Sequence, residues 1–173
     1  MTKLFIQEFI SQCIYRVDEN TKKITSCLNE MEETEIWIRP NENSNSMGNL
    51  ILHLCGNIRQ YAISSLGQIR DIRERDKEFS AAGGYSKTEL IENLVDTIEQ
   101  AKNIINNISE AELLKTRYVQ GFLHTGIGIV IHVTEHYSYH TGQVAFWTKL
   151  LRNKDLKFYA GIDLNKKNKR ENL

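Results

Sequence analysis

Residues 124–151, HTGIGIVIHVTEHYSYHTGQVAFWTKLL, decide the fold of this chain. Within them Ile129, Val133, His136, His140, Gln143 and Trp147 recur at alternating steps of four and three, the period of a helix face turned toward partner helices in a bundle. The spacing predicts one long helix with both histidines pointing inward. Residues four apart on a helix lie one above the other, so His136 and His140 can approach a single ion together. Burying two imidazoles beside Ile, Val and Trp is costly unless their nitrogens find partners, and a shared metal is one such partner.

Upstream the same helical period recurs. Phe5, Phe9, Cys13, Val17, Ile24, Leu28 and Met31 mark a first helix over 3–31, with Thr2 as its cap. Residues 32–46 hold the only proline, Pro40, and a polar run, and read as a loop. Ile51, Leu54, Ile58 and Ala62 mark a second helix over 47–66, capped by Ser46. Residues 67–85 alternate charge signs and end in Gly83-Gly84, the pattern of a mobile or partly helical connection with a solvated face. Ser86 to Glu89 forms an S-x-x-E capping box, followed by the stripe Leu90, Leu94, Ile98, Ala101 and Ile105. A second such box, Ser109 to Glu112, predicts a short extra turn before Gly121. No alternating strand stands out. The expectation is an all-α four-helix bundle, up-and-down or with a crossover. A single bundle over 1–162 is followed by a polar tail, 163–173, whose Lys166, Lys167, Lys169 and Arg170 read as solvated.

Composition narrows the function. The chain has 173 residues, 40% hydrophobic and 25% charged, which suits one globular domain with a core. Lys+Arg and Asp+Glu both total 22, so no net field is available to attract nucleic acid or an anionic membrane. Neither nucleic acid nor membrane is therefore expected as a partner. Gln7 and Glu8 interrupt the apolar residues of the N-terminus, and no apolar run reaches 18 residues, so neither a signal peptide nor a membrane span is expected. Cys13, Cys27 and Cys55 are too far apart for a C-x-x-C site and fit a reducing, cytoplasmic compartment.

His53 in the second helix, beside Leu50, Leu54 and Asn57, offers a third imidazole. Three histidines and no thiolate leave coordination positions to water or substrate, whereas structural zinc is closed by four protein ligands. A pair of satisfied core histidines remains the alternative. His132 falls outside the seam and reads as a flanking group, and His124 is assigned no role. The string from His132 to His136 matches H-x-x-E-H. That protease pattern needs a further glutamate well downstream, and only Glu171 lies among the 37 residues after His136. Thr134, Ser138 and Gly142 form a small-residue stripe suited either to internal packing or to a dimer axis.

E-H-Y-S-Y-H-T-G-Q at 135–143, with His132-Val133 before it, and N-L-I-L-H-L-C-G-N-I-R-Q at 49–60 resemble the DinB-like superfamily, also called the YfiT-like metal-dependent enzymes. The similarity covers roughly residues 2–160. It implies a four-helix bundle with a long crossover, a homodimer, and a divalent metal held by His53, His136 and His140. Characterised relatives include transferases or isomerases that use small thiols such as bacillithiol and mycothiol. Many relatives carry arginine or histidine where this chain has Thr141.

All-imidazole ligation suits zinc or nickel, which would make a nucleophile of a bound water or thiol near neutral pH. The implied activity is thiol transfer to a small electrophile, or hydrolysis. Asn57, Tyr61, Glu135 and Gln143 could orient ligands or substrate; no general acid or base is assigned. The competing reading is a non-catalytic dimeric bundle, metal-free or with a metal for stability only. Direct DNA binding, suggested by the family name, finds no helix-turn-helix or basic platform.

Overall fold

The structure is a computed structural model that describes residues 2–168. The Thr2 side chain, Lys169 and Arg170 lie outside the described residues. Four long helices carry the fold: α1 (Thr2–Glu30), α2 (Met47–Ile58), α4 (Lys87–Asn106) and α6 (Gly126–Arg152). A short α3 (Arg75–Ser80), a one-turn α5 (Glu110–Leu114) and two strands, β1 (Thr116–Val119) and β2 (Phe122–Thr125), lie between them. The all-α expectation holds, with this hairpin as its one departure among the described residues.

α1 packs between α4 and α6, and α2 packs against the same two helices from the other side. Helices consecutive in sequence, α1 and α2, therefore sit diagonally, and residues 31–46 cross the bundle end. The core runs through Val17, Ile24 and Leu28 of α1, Ile51, Leu54 and Ile58 of α2, and Leu90, Leu94 and Ile98 of α4. Phe5, placed in the buried stripe by its spacing, is 72% exposed, because burial on α1 begins only at Ile10.

The caps account for the helix starts. The Ser46 hydroxyl accepts from the Asn49 amide and Asn49 Oδ1 accepts from the Ser46 amide, a reciprocal box that opens α2. Ser86 and Glu89 do the same for α4. At α5 only half the predicted box forms: Ser109 accepts from the Glu112 amide, but the Glu112 carboxylate turns to Lys115 and Arg117.

Beyond Ile58 the second helix widens into a π-helical stretch, Arg59–Leu66, a rare geometry that recurs at functional sites. Arg117 at the base of the hairpin donates to the Ser65 carbonyl there and to the Glu112 carbonyl. The hairpin pairs Arg117 with His124 and Val119 with Phe122 around the two-residue turn Gln120-Gly121. Both turn residues have positive φ, 53° and 84°, the combination whose twist matches antiparallel strands. His124 and Thr125, assigned to the last helix by the sequence pattern, belong to β2. Thr125 then caps α6 by accepting from the Gly128 amide.

The inward stripe of α6 also differs from the one read by spacing. Val130, Val133, Tyr137, Thr141, Val144 and Thr148 are buried, while His136, His140 and Trp147 are half-buried and Gln143 is exposed. The histidine row is the neighbouring row on the helix. The core tolerates Thr141 and Thr148 because each hydroxyl bonds the carbonyl four residues back, at 2.8 and 2.9 Å. Tyr137 is fully buried and shares a hydrogen bond of 3.0 Å with Thr21 of α1.

Candidate metal centre

α2 and α6 bring His53, His136 and His140 together, with one ring nitrogen of each within 4.8 Å of the others. His136 is central: its Nε2 lies 3.2 Å from Nε2 of His53 and 3.2 Å from Nε2 of His140. Three imidazole nitrogens this close together are a donor set that suits a divalent ion. The cluster could hold a metal.

Each ring has a different partner on its far side. His53 Nδ1 lies 3.1 Å from Glu78 Oε2, and a carboxylate can only accept, so this bond places the His53 proton on Nδ1. His140 Nδ1 lies 2.7 Å from Gln143 Oε1, which places its proton on Nδ1 as well. With those two Nε2 atoms bare, the proton between the three rings belongs to His136 Nε2. For all three Nε2 atoms to present lone pairs at once, His136 must carry its proton on Nδ1. That atom is buried and has no hydrogen-bond partner among the described residues.

Burial, then the repulsion of neighbouring imidazoles, pushes His136 down from 6.5 to about 3. Burial also lowers His140, with Gln143 opposing it, and lowers His132. These three rings are therefore neutral near pH 7, the form in which a nitrogen lone pair is free.

Glu78 comes from α3, in the segment read as a solvated connection. Arg73 and Glu78 are buried instead, with side chains 3% and 9% exposed, and they meet in a two-pronged pair of 2.7 and 2.8 Å. Burial raises the Glu78 carboxyl, but hydrogen bonds from Arg73 and His53 outweigh it and hold the group below its ordinary range. Buried Asn49, besides capping α2, donates to the carbonyls of Glu78 and Ala81 at 2.9 and 2.8 Å and so fixes α3 against α2. Gln60 accepts from Arg73 at 2.9 Å and donates to Asp71 at 2.8 Å.

The chain's remaining histidines extend the cluster toward the hairpin. His132 stacks on His136 at 5.3 Å and on Tyr61 at 4.0 Å, and Asn57 Nδ2 approaches its Nε2 at 3.3 Å. His124, given no role by its position in the sequence, stands 5.8 Å from Tyr61, whose hydroxyl donates to Gln120 at 3.1 Å. Asn57 and Tyr61 thus contact His132, and Gln143 contacts His140. Glu135 lines a groove on the α1 side with Cys13 and Arg16. Cys55, two residues from His53, is no nucleophile: burial pushes its thiol up to about 12.

A model of a protein family of unknown function, DUF1572, matches residues 5–163. The chain belongs to that family. No curated protein matches it. Among solved structures, this DUF1572 chain is similar to a DinB-like protein, YjoA, from Bacillus subtilis, at 16% identity and a TM-score of 0.65, covering 86% of this chain and 96% of that one. It is also similar to a conserved protein from Enterococcus faecalis, at 16% identity and a TM-score of 0.70, covering 83% of this chain and 97% of that one. The resemblance to DinB-like proteins read from the sequence is borne out. At this identity it speaks for the fold. Arg73 and Glu78 were missed by the sequence reading; the one trace of them is Gly56, a glycine among the buried residues of α2.

Proposed function

We propose that this DUF1572 chain is a metal-dependent enzyme acting on a small molecule, with His53, His136 and His140 as the ligands of zinc or nickel. The observation that carries it is the convergence of three Nε2 atoms supplied by two helices, one of them His53, 83 residues from His136 in sequence. A divalent ion bound there would supply Lewis acidity, lowering the pKa of a water or thiol at an open position. The protein's own part is to keep the rings of His136 and His140 neutral, to orient His53 and His140 through Glu78 and Gln143, and to flank His136 with His132, itself held by Tyr61 and Asn57. His132 accepts at Nε2 from Asn57, so its proton sits on Nδ1. Between thiol transfer and hydrolysis, the resemblance to thiol-using transferases favours transfer: a thiolate forms the new carbon–sulfur bond as a leaving group departs from an electrophilic carbon.

The proposal includes a cytoplasmic homodimer. Its supports are three free cysteines, the exposed apolar residues Ile131, Tyr139 and Phe146 on α6, and Gly142 beside them, where a side-chain atom would touch nothing within 4 Å. No helix among the described residues is long and apolar enough to cross a membrane.

One observation favours the competing reading of a non-catalytic bundle: the three Nε2 atoms already pair with one another through two 3.2 Å contacts. Elemental analysis of purified protein, before and after chelator and beside His136→Ala, separates the two. About one zinc or nickel per chain, lost in the variant, supports the enzyme. No metal in either sample, even after reloading, together with a melting temperature that chelator does not move, supports the bundle.

A further inference from the structure

We propose that Arg73 and Glu78 are positioning residues for the histidine cluster, holding His53 with its proton on Nδ1, and that residue 56 is glycine because their carboxylate occupies the space of its side chain. The affinity arm of this inference rests on the metal reading above, and its tautomer arm does not.

A Cβ on Gly56 would stand 1.9 Å from Glu78 Oε1, 2.6 Å from its carboxyl carbon and 3.0 Å from Arg73 Nε. Glu78 could move aside only by giving up its contacts with Arg73, which engages both its oxygens. Glycine is among the poorest helix formers, yet it sits in α2 among five buried residues within three positions of it: His53, Leu54, Cys55, Asn57 and Ile58. A residue unfavourable to the helix is thus placed at the point where the carboxylate passes.

A buried ion pair is weak evidence of a stabilising role, because apolar side chains of similar volume usually serve the core as well or better. What apolar side chains could not do is accept a proton from His53. Glu78 Oε2 takes a hydrogen bond from His53 Nδ1 at 3.1 Å and one from Arg73 Nη2 at 2.8 Å, while Oε1 takes Arg73 Nε at 2.7 Å. The guanidinium neutralises the carboxylate and completes its contacts. Arg73 Nη2 also lies 3.2 Å from His53 Nδ1; with Glu78 in place both donors point at the carboxylate. Remove that acceptor, and the guanidinium is left to donate into Nδ1, which forces the proton onto Nε2 and blocks the lone pair that faces His136.

The pair is also anchored independently of His53. Asn49 holds the Glu78 carbonyl, Gln60 holds Arg73 Nη1, and Asp71 accepts from the Arg73 amide at 3.0 Å. The connecting segment therefore brings a preset acceptor to the ring, and its orienting bond is of the kind that fixes the tautomer and raises the basicity of metal-binding histidines.

Long-range ¹H–¹⁵N spectra of the histidine side chains in the metal-stripped full chain test this directly. The wild type should show His53 protonated on Nδ1; Glu78→Gln, which presents amide hydrogens to the ring, should move it toward Nε2–H. Gly56→Ala, which keeps Glu78 but displaces its carboxylate, should move it the same way. Titrated with cobalt(II), Glu78→Gln should bind about 10- to 100-fold more weakly than wild type. Nε2–H on His53 in the wild type overturns the inference without any variant. So does an unchanged tautomer in Glu78→Gln, or an unchanged cobalt affinity in a variant that merely melts earlier, since the pair would then only tie the connection to α2. If the wild type takes up no metal, the metal reading fails, and the tautomer spectra still decide the role of Glu78.

Discussion

The two sides of the histidine cluster are built by opposite means. On the α2 side, His53 is 7% exposed and faces a charged, buried pair whose backbone is held by Asn49. On the α6 side, His140 leans on the exposed amide of Gln143, and His136 Nδ1 has no partner among the described residues. One side fixes a ring; the other leaves rings free to adjust. Such a division suits a site that must keep its place in the fold and still exchange what it binds, whereas closed structural sites fix every ligand.

The sharpest way to break the contrast is at its centre. His136→Ala should reduce bound zinc or nickel from about one per chain to none, measured by elemental analysis, since the His136 Nε2 stands 3.2 Å from both of the other two. Asn49→Ala attacks the fixed side from beneath: it removes a cap and leaves two carbonyls unpaired, and should cost about 2–4 kcal/mol in denaturant unfolding. An unfolding midpoint equal to wild type would show that Asn49 does not hold α3.

Acid should act chiefly on the adjustable side. In the metal-stripped chain His136, lowered to about 3, and His140 and His132, also lowered, stay neutral in the fold but bind protons near 6.5 once unfolded. The unfolded state then binds more protons, so their stabilising contribution is full above about pH 6.5 and is lost as pH falls toward 3. Glu78, also lowered, adds to the loss only below its unfolded value of 4.5. A melting temperature that is level or rises on acidification from pH 6.5 to 4 would contradict these shifts. The smallest effect belongs to Gln143→Ala, which removes an exposed neutral partner: metal affinity should fall no more than about tenfold, at the low end for such contacts. A larger loss than that of Glu78→Gln would reverse the comparison.

Much of the scaffold was legible because burial imposes a helical period on aliphatic side chains. Leu90 to Ile105, the cap at Ser46 and the box at Ser86 stand where the sequence pattern places them. So does the pairing of His136 with His140, a matter of one helical turn. The convergence of His53 on them was readable only as a candidate, since it depends on how α2 and α6 cross. The hairpin was hidden by its chemistry: Gln120-Gly121 lacks the Asn-Gly signature of its turn, and its strands have only four residues each. Arg73 and Glu78 were hidden differently. Alternating charges read alike whether they face water or each other, and the bonds that turn this stretch inward, those of Asn49 to its carbonyls and of Gln60 and His53 to its side chains, are made by residues far away in sequence. The stripe on α6 was misplaced by one row because threonines that bond their own helix can pass for surface residues.

Trp147 lies on α6 seven residues past His140, roughly 10 Å along the axis, and the chain's only other tryptophan is Trp37. The molecule thus contains its own optical gauge for the cluster. Nickel or cobalt, with partly filled d shells, can accept excitation energy from a nearby indole, whereas closed-shell zinc cannot. The colour of the ion would therefore be written into the brightness of two indoles, Trp147 and Trp37, the latter packed against Gly48 of α2, readable in unlabelled protein as each metal is added.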